Sequence, residues 1–319
     1  MGYLYLAISK FCGAAKMAAM KNCGNADDST GTSVKVNAVR SGIILVVSVI
    51  VFVVSRAVTA DGVWIAALSG VSNALNMLSW LVCATAVSLC IVETFVMIGS
   101  VVFPLALSPL LYAGETVSAA QWAGAGVILA AVVLFCVGRD VKFGKKGIVW
   151  IAVCTLSSAG CNVTAKLYAV RAGSEYVAFF NLVTFVIVFA FFAVVAAITV
   201  LKNRKKTNPA ADSEPVEDSG CAVDSGRAEE KDPQPREFFG LPKRTYFRIA
   251  IAAVGMYATN YFMTLAAGAL PSGVLYPLSY GAGFVLTAIM DTVFFKQKLT
   301  LPRAVATVLA VAGAVLTAI

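Results

Sequence analysis

Polar residues are spaced along the chain so that they divide it into long apolar runs. Stretches of spanning length, roughly 17 to 25 residues each, fall near 2-20, 37-55, 62-82, 87-112, 119-138, 147-169, 177-201, 246-268, 272-295 and 303-319. The pattern predicts ten helices, five in each half. Breaks between them carry turn chemistry: a Gly/Asn/Asp/Ser/Thr loop from Asn22 to Ser33, the connection Ser55 to Asp61, and little more than Ala84-Thr85-Ala86 between the third and fourth runs. Connections this short force antiparallel neighbours. The charged, Gly-punctuated stretch Gly138 to Gly147 is the natural boundary between halves.

One motif occurs twice. Phe103 to Tyr112 closes an apolar run, Gly114-Glu115-Thr116-Val117-Ser118 forms a polar turn, and a helix of small and aliphatic residues follows. Near the end of the chain, Phe294-Phe295-Lys296-Gln297-Lys298-Leu299-Thr300 likewise closes a run and leads into Leu301 to Ile319. Matching helices by rank pairs Lys16 with Lys166, Asn37 with Asn181, Asn76 with Asn260 and Ser118 with Thr300. Residues 1-138 and 147-319 are therefore read as two copies, the second interrupted at about 203-234 by a stretch rich in Pro, Ser, Asp, Glu and Lys that is expected to be disordered. An odd number of helices per copy makes the second copy enter the membrane from the opposite face. The expected fold is an all-α integral membrane protein with ten transmembrane helices as two inverted five-helix repeats, an architecture used by many secondary transporters.

Composition agrees with a membrane class. Of 319 residues, 59% are hydrophobic and 13% charged, against nearer half and a quarter in soluble domains. The N-terminal run has no preceding basic residue and is interrupted by Lys10 and Lys16, so a retained helix is expected in place of a signal peptide. Eight cysteines without a C-x-x-C pair, and no histidine, give no support to a disulfide framework, a metal site or a cofactor.

The formal charge of +8 reads as topology, not as nucleic-acid binding. Lys202 to Arg244 holds nine basic and nine acidic residues and is neutral. By position along the predicted spans, Lys21, Lys35, Arg139, Lys142, Lys145, Lys146, the cluster at 202-206, Lys243, Arg244, Lys296, Lys298 and Arg303 share one side, whereas the other has little beyond Arg56 and Arg171. The positive-inside rule makes the first side cytoplasmic and both termini external.

The five-plus-five layout, the Gly114-Glu115-Thr116-Val117-Ser118 turn leading into Gln121-Trp122-Ala123-Gly124, and its echo at Lys298-Leu299-Thr300 resemble the EamA-type transporters of the drug/metabolite transporter superfamily. The resemblance covers nearly the whole chain outside 203-234. It implies a multi-pass protein of the plasma membrane, with a central cavity lined by the first, third, fourth, sixth, eighth and ninth helices. It also implies cytoplasmic termini, opposite to the charge reading.

Each polar residue within a span has two readings. Lys16 and Lys166 lie about one turn from their helix ends, where a lysine either snorkels to the interface or faces a cavity. Asn73, Asn76 and Asn260 either hydrogen-bond a substrate or tie helices together. Trp80, Tyr257 and Tyr261 suit the wall of an organic-substrate site and equally suit packing. Glu93, two turns into the fourth helix, can reach the depth of Lys16 and is the expected site of proton or cation coupling, or else merely the counter-ion of Lys16. The repeat puts Pro277 where Glu93 stands, so Lys166 is expected to be the freer cation, with Glu175 its nearest candidate carboxylate and a substrate anion its expected ligand. Small residues at four-residue spacing, Ala120, Gly124 and Ile128 and again Ala306, Ala310 and Ala314, are expected to be scaffold.

The sequence thus reads as a secondary transporter of a small metabolite or drug-like molecule working by alternating access, with the lipid bilayer as its other partner. A membrane-embedded enzyme or lipid-handling protein would need a concentrated set of catalytic His, Asp or Glu residues near one face, and no catalytic set is visible. A third reading is a non-transporting sensor using the 203-234 loop as a phosphorylatable or partner-binding tail. It requires that deleting the loop abolish a signalling output while uptake assays stay silent.

Overall fold

A computed structural model describes residues 1–21, 30–86, 89–112, 114–136, 145–207, 243–293 and 301–318. They form ten α-helices and, among the described residues, no strand. The order is α1 (Gly2–Lys21), α2 (Thr30–Ser55), α3 (Val63–Ala86), α4 (Leu89–Leu111), α5 (Ala119–Cys136), α6 (Lys145–Arg171), α7 (Val177–Thr207), α8 (Lys243–Ala269), α9 (Ser272–Val293) and α10 (Leu301–Ala318). A 3-10 turn, Ser174–Tyr176, precedes α7. Helices are what apolar runs must form in lipid, where backbone N–H and C=O groups have no water to bond.

Among the described residues, four stretches are long and apolar enough by themselves to cross a membrane: Val36–Ser55, Gly147–Arg171, Ser174–Thr199 and Thr245–Ala269. Phe95–Leu111, Ala119–Leu134 and Ala304–Thr317 are shorter apolar helices. The outer faces carry large exposed side chains such as Val54, Leu110, Phe247 and Val308. An apolar exterior of this extent fits contact with acyl chains, not water.

Three boundaries correct the sequence expectation. Ala84-Thr85-Ala86, expected to connect the third and fourth runs, are the last residues of α3. The loop expected to run to Ser33 gives way to helix at Thr30, because the apolar run that follows supplies the nucleus and Thr30 to Ser33 need only extend it. Likewise α7 continues to Thr207, into the stretch expected to be disordered from residue 203. Lys and Arg at 202-206 are good helix formers, and their charge suits a helix C-terminus. The remainder of the expected disordered loop lies outside the described residues.

Helices pair mainly across the two halves. The principal contacts are α1 with α8, α3 with α6, α5 with α10 and α2 with α7; α4 lies against α6, and α9 lies against α1 and α10. Small residues permit the close approaches. A methyl at Gly124 in α5 would meet Thr317 and the Gly313 backbone of α10, and one at Gly99 in α4 would meet the Thr155 carbonyl of α6. The expected scaffold ridge is seen here, with Ala306 and Ala310 fully buried. Polar ties reinforce these contacts. Ser9 Oγ donates to Thr259 O at 2.9 Å across α1 and α8, and the Ser100 and Ser158 hydroxyls share a bond across α4 and α6.

Candidate functional site

The turn after α4 builds the first part of the site. Gly114 takes φ 83°, a left-handed conformation that costs an L side chain but not glycine, and the Glu115 N–H bonds Tyr112 O at 3.1 Å. Ser118 then starts α5 with a reciprocal cap: the Gln121 N–H donates to Ser118 Oγ at 3.2 Å, and the Ser118 N–H donates to Gln121 Oε1 at 3.1 Å. With both sides of the turn fixed, Glu115 points back across the bundle end. It meets Lys166 of α6, with Nζ to Oε1 at 2.8 Å.

The turn between α8 and α9 completes the constellation. Lys166 Nζ also donates to Leu270 O at 2.5 Å, and Glu115 Oε2 accepts the Ser272 N–H at 3.1 Å. A carbonyl at the end of one helix and an N–H at the start of the next have no intrahelical partner, so the ion pair satisfies both. Its polarity matches the two helix dipoles, with the ammonium at the C-terminal end of α8 and the carboxylate at the N-terminal end of α9. Burial pushes the Glu115 carboxyl up, but the hydrogen bonds from Lys166 and Ser272 and the Lys166 charge outweigh it, and the net direction is below the ordinary carboxylate value. The side chains are 3% and 21% exposed for Lys166 and Glu115, so water screens the pair weakly.

A polar track runs inward from this pair. Lys166 Nζ stands 5.7 Å from the Tyr112 ring centre, and Tyr112 Oη donates to Val163 O at 3.1 Å. One turn along α6, Tyr276 Oη donates to Asn162 O at 3.1 Å, and Asn162 Nδ2 donates to Ser158 O at 3.1 Å and to Tyr280 Oη at 2.8 Å. The Tyr280 ring in turn faces Lys10 of α1, whose Nζ is 5.1 Å from the ring centre. The end of α4 and helices α6, α9 and α1 thus contribute to one continuous set of polar groups.

The structure separates the sequence-predicted residues. Lys166 has a carboxylate partner, Glu115, which corrects the expectation that Glu175 is its only nearby acid. Glu175 is exposed. Helix rank placed Glu115 in the connection after α4 and gave no hint that this turn folds back over α6. Asn76 Nδ2 donates to Cys154 O at 3.4 Å, the helix-tying use of a membrane asparagine. Trp80 packs against Cys83, Ile151 and Cys154 with Trp150 beside it. Tyr257 and Tyr261 stack at 5.9 Å in a cluster with Ile44, Met77 and Phe185, and the buried Tyr257 hydroxyl has no hydrogen-bond partner among the described residues. Asn260 is half-buried on the same helix, and its carbonyl accepts from Thr264 Oγ1 at 2.8 Å. Lys16 is half-buried against α8, where a methyl at Gly255 would touch its Cβ. The Glu93 side chain lies outside the described residues, and with it the expected pair with Lys16 and the coupling role.

Lys10, Asn162 and Tyr280 were missed as site residues. A signal was present: each is a polar group inside an apolar helix, and Lys10 stands far from both ends of α1. Among the described residues, no group of three or more His, Cys, Asp or Glu side chains could hold a metal ion.

Comparison with known proteins gives two findings. Residues 242–310 match a family model described as Small Multidrug Resistance protein, within the drug/metabolite transporter superfamily. The match begins just before α8 and extends into α10. Among solved structures, a chain described as "Crystal structure of protein" aligns with 99% of this chain and 95% of its own length, with TM-score 0.65 and 17% identity. That likeness speaks to the fold alone. No curated protein sequence matches.

Proposed function

We propose that this chain is a secondary transporter of small organic molecules that works by alternating access between two inverted five-helix repeats, 1-138 and 147-319. The observation that carries the reading is the reciprocity of the helix pairing. Exchanging α1 to α5 for α6 to α10 turns the α1–α8 contact into α6–α3, turns α4–α6 into α9–α1, and returns α2–α7 and α5–α10 to themselves. Halves related in this way can exchange their tilts and open an interior site to alternate sides. The family match supports the transported class, since proteins of that description handle multiple drugs by name.

In this reading the Glu115–Lys166 pair holds one end shut by joining the α4–α5 turn to the α8–α9 turn. The charge distribution makes that end external. The polar track leading inward from it is the path a substrate leaves or enters by, and the stacked Tyr257 and Tyr261 with Asn260 form part of its wall. Glu93 retains the proposed coupling role and Lys16 its counter-charge.

The test begins with untargeted metabolite accumulation in cells with and without the protein. Compounds that change are then taken to counterflow in liposomes containing the purified full-length chain. Saturable exchange of one of them is the expected result, with a pH dependence altered in Glu93→Gln. Absence of protein-dependent exchange for every compound that accumulates would remove the transporter reading.

A further inference from the structure

We propose that Lys10 is the anion-binding residue of the interior site, and that the ligand group it receives is a carboxylate of a small organic anion. The inference deepens the transporter reading and rests on it for its consequence, since an interior carboxylate site is a substrate site only if the interior opens.

Lys10 cannot be an interfacial anchor. It lies eight residues from Gly2 and eleven from Lys21, about 12 and 16 Å along the helix, beyond the reach of a lysine that snorkels. Its side chain faces the other half of the molecule: Nζ stands over Tyr280, and its Cδ would touch a methyl at Gly283, both on α9. Among the described residues, no carboxylate lies within ion-pairing distance of it, although the same fold supplies one to Lys166.

The ring beneath Lys10 leaves its donors unspent among the described residues. A tyrosine face attracts an ammonium through the ring quadrupole without accepting its N–H groups in the way a carboxylate does. Tyr280 is held in that pose by Asn162 Nδ2, and Asn162 is itself pinned by Ser158 O and by Tyr276 donating to its carbonyl. Such an assembly positions a cation and then supplies no anion. Glu115 shows what completes the arrangement in this protein, because at Lys166 a carboxylate takes the ammonium beside a tyrosine ring. At Lys10 the missing carboxylate comes from the ligand. An ammonium there, with Lys16 of the same helix adding to the positive field, attracts an anion and repels a permanently cationic drug.

The experiment uses the purified full-length protein in detergent, with benzoate, pyruvate and inorganic phosphate as probes and benzamide as the uncharged analogue of benzoate. Binding is read as the rise in unfolding temperature with ligand concentration. At least one carboxylate is expected to stabilise the protein, benzamide is not, Lys10→Gln should weaken half-saturation at least ten-fold, and Lys10→Arg should restore most of it. If Lys10→Gln does not fold, Lys10→Met takes its place, with the same loss expected. No response to either carboxylate, an equal response to benzamide, tighter binding of phosphate, or an unchanged response in the charge-removed variant each overturns the site. Uptake of labelled pyruvate into proteoliposomes separates the two levels. Carboxylate binding without uptake would remove the transporter reading and leave the site standing, whereas uptake undiminished in Lys10→Gln would do the reverse.

Discussion

Two lysines face the interior of this molecule on a tyrosine ring, and they are treated oppositely. Lys166, on α6, lies over Tyr112 and has Glu115 at 2.8 Å and a carbonyl besides. Lys10, on α1, lies over Tyr280 and has no such acid among the described residues. A buried charge is tolerated when its partner is close and its remaining donors are used. By that criterion Lys166 is structural, joining three segments at one end, while Lys10 has no carboxylate beside it among the described residues. The difference teaches that a membrane lysine is read by what stands opposite it, not by its depth.

The contrast breaks first at Glu115. Glu115→Gln leaves Lys166 almost fully buried with only neutral acceptors, and thermal unfolding of the purified protein should show a loss on the order of 3 kcal/mol, the low end for a severed buried pair because Glu115 is partly exposed. Adding Lys166→Met to that variant should recover much of the loss, and strict additivity of the two would refute the pairing.

Acid should reproduce the same break. The folded carboxyl lies below the ordinary value of 4.5, so the stability it contributes is present above that value and is lost as pH falls through the lower folded one. Unfolding temperatures of wild type and Glu115→Gln should therefore be well separated at neutral pH and converge below about pH 4.5. A gap that persists at the acid end would place the stabilisation elsewhere.

Lys10→Met should act in the opposite direction. Removing a cation that has no carboxylate leaves nothing unpaired, so stability should be unchanged or raised by about 1 kcal/mol. A loss comparable to that of Glu115→Gln would make the two lysines alike and end the comparison. The smallest effect belongs to Tyr280→Phe, which keeps the ring beneath Lys10 and deletes the bond from Asn162. About 1 kcal/mol is expected, read in the same unfolding assay, with a weakened carboxylate response beside it.

The ten expected helices are present, but the partners expected for the buried charges were misplaced. Matching by rank paired Lys16 with Lys166, gave Lys16 the carboxylate of Glu93 on the fourth helix, and left Lys166 only Glu175 nearby. Glu115 was visible in the most recognisable motif of the chain, yet it read as the polar stop of a membrane hairpin. Its use depends on a left-handed Gly114 and a capped Ser118 that aim it across the bundle. Asn162 and Tyr280 sit 118 residues apart, and no local pattern brings them together.

What the sequence determined by itself is the set of ten helices, to within a few residues at most ends. Each is a local consequence of apolar length and turn chemistry, since an apolar segment shielded from water must close its own backbone hydrogen bonds whatever surrounds it. The small-residue ridges of α5 and α10 were legible for the same reason, because their spacing lies within one helix. Only the tertiary structure decided which charge is paired. Coulomb attraction and hydrogen bonding act over a few ångströms of space, and whether Glu115 stands beside Lys166 or Lys10 stands over Tyr280 is set by how the two halves interlock, a relation that no stretch of the chain encodes alone.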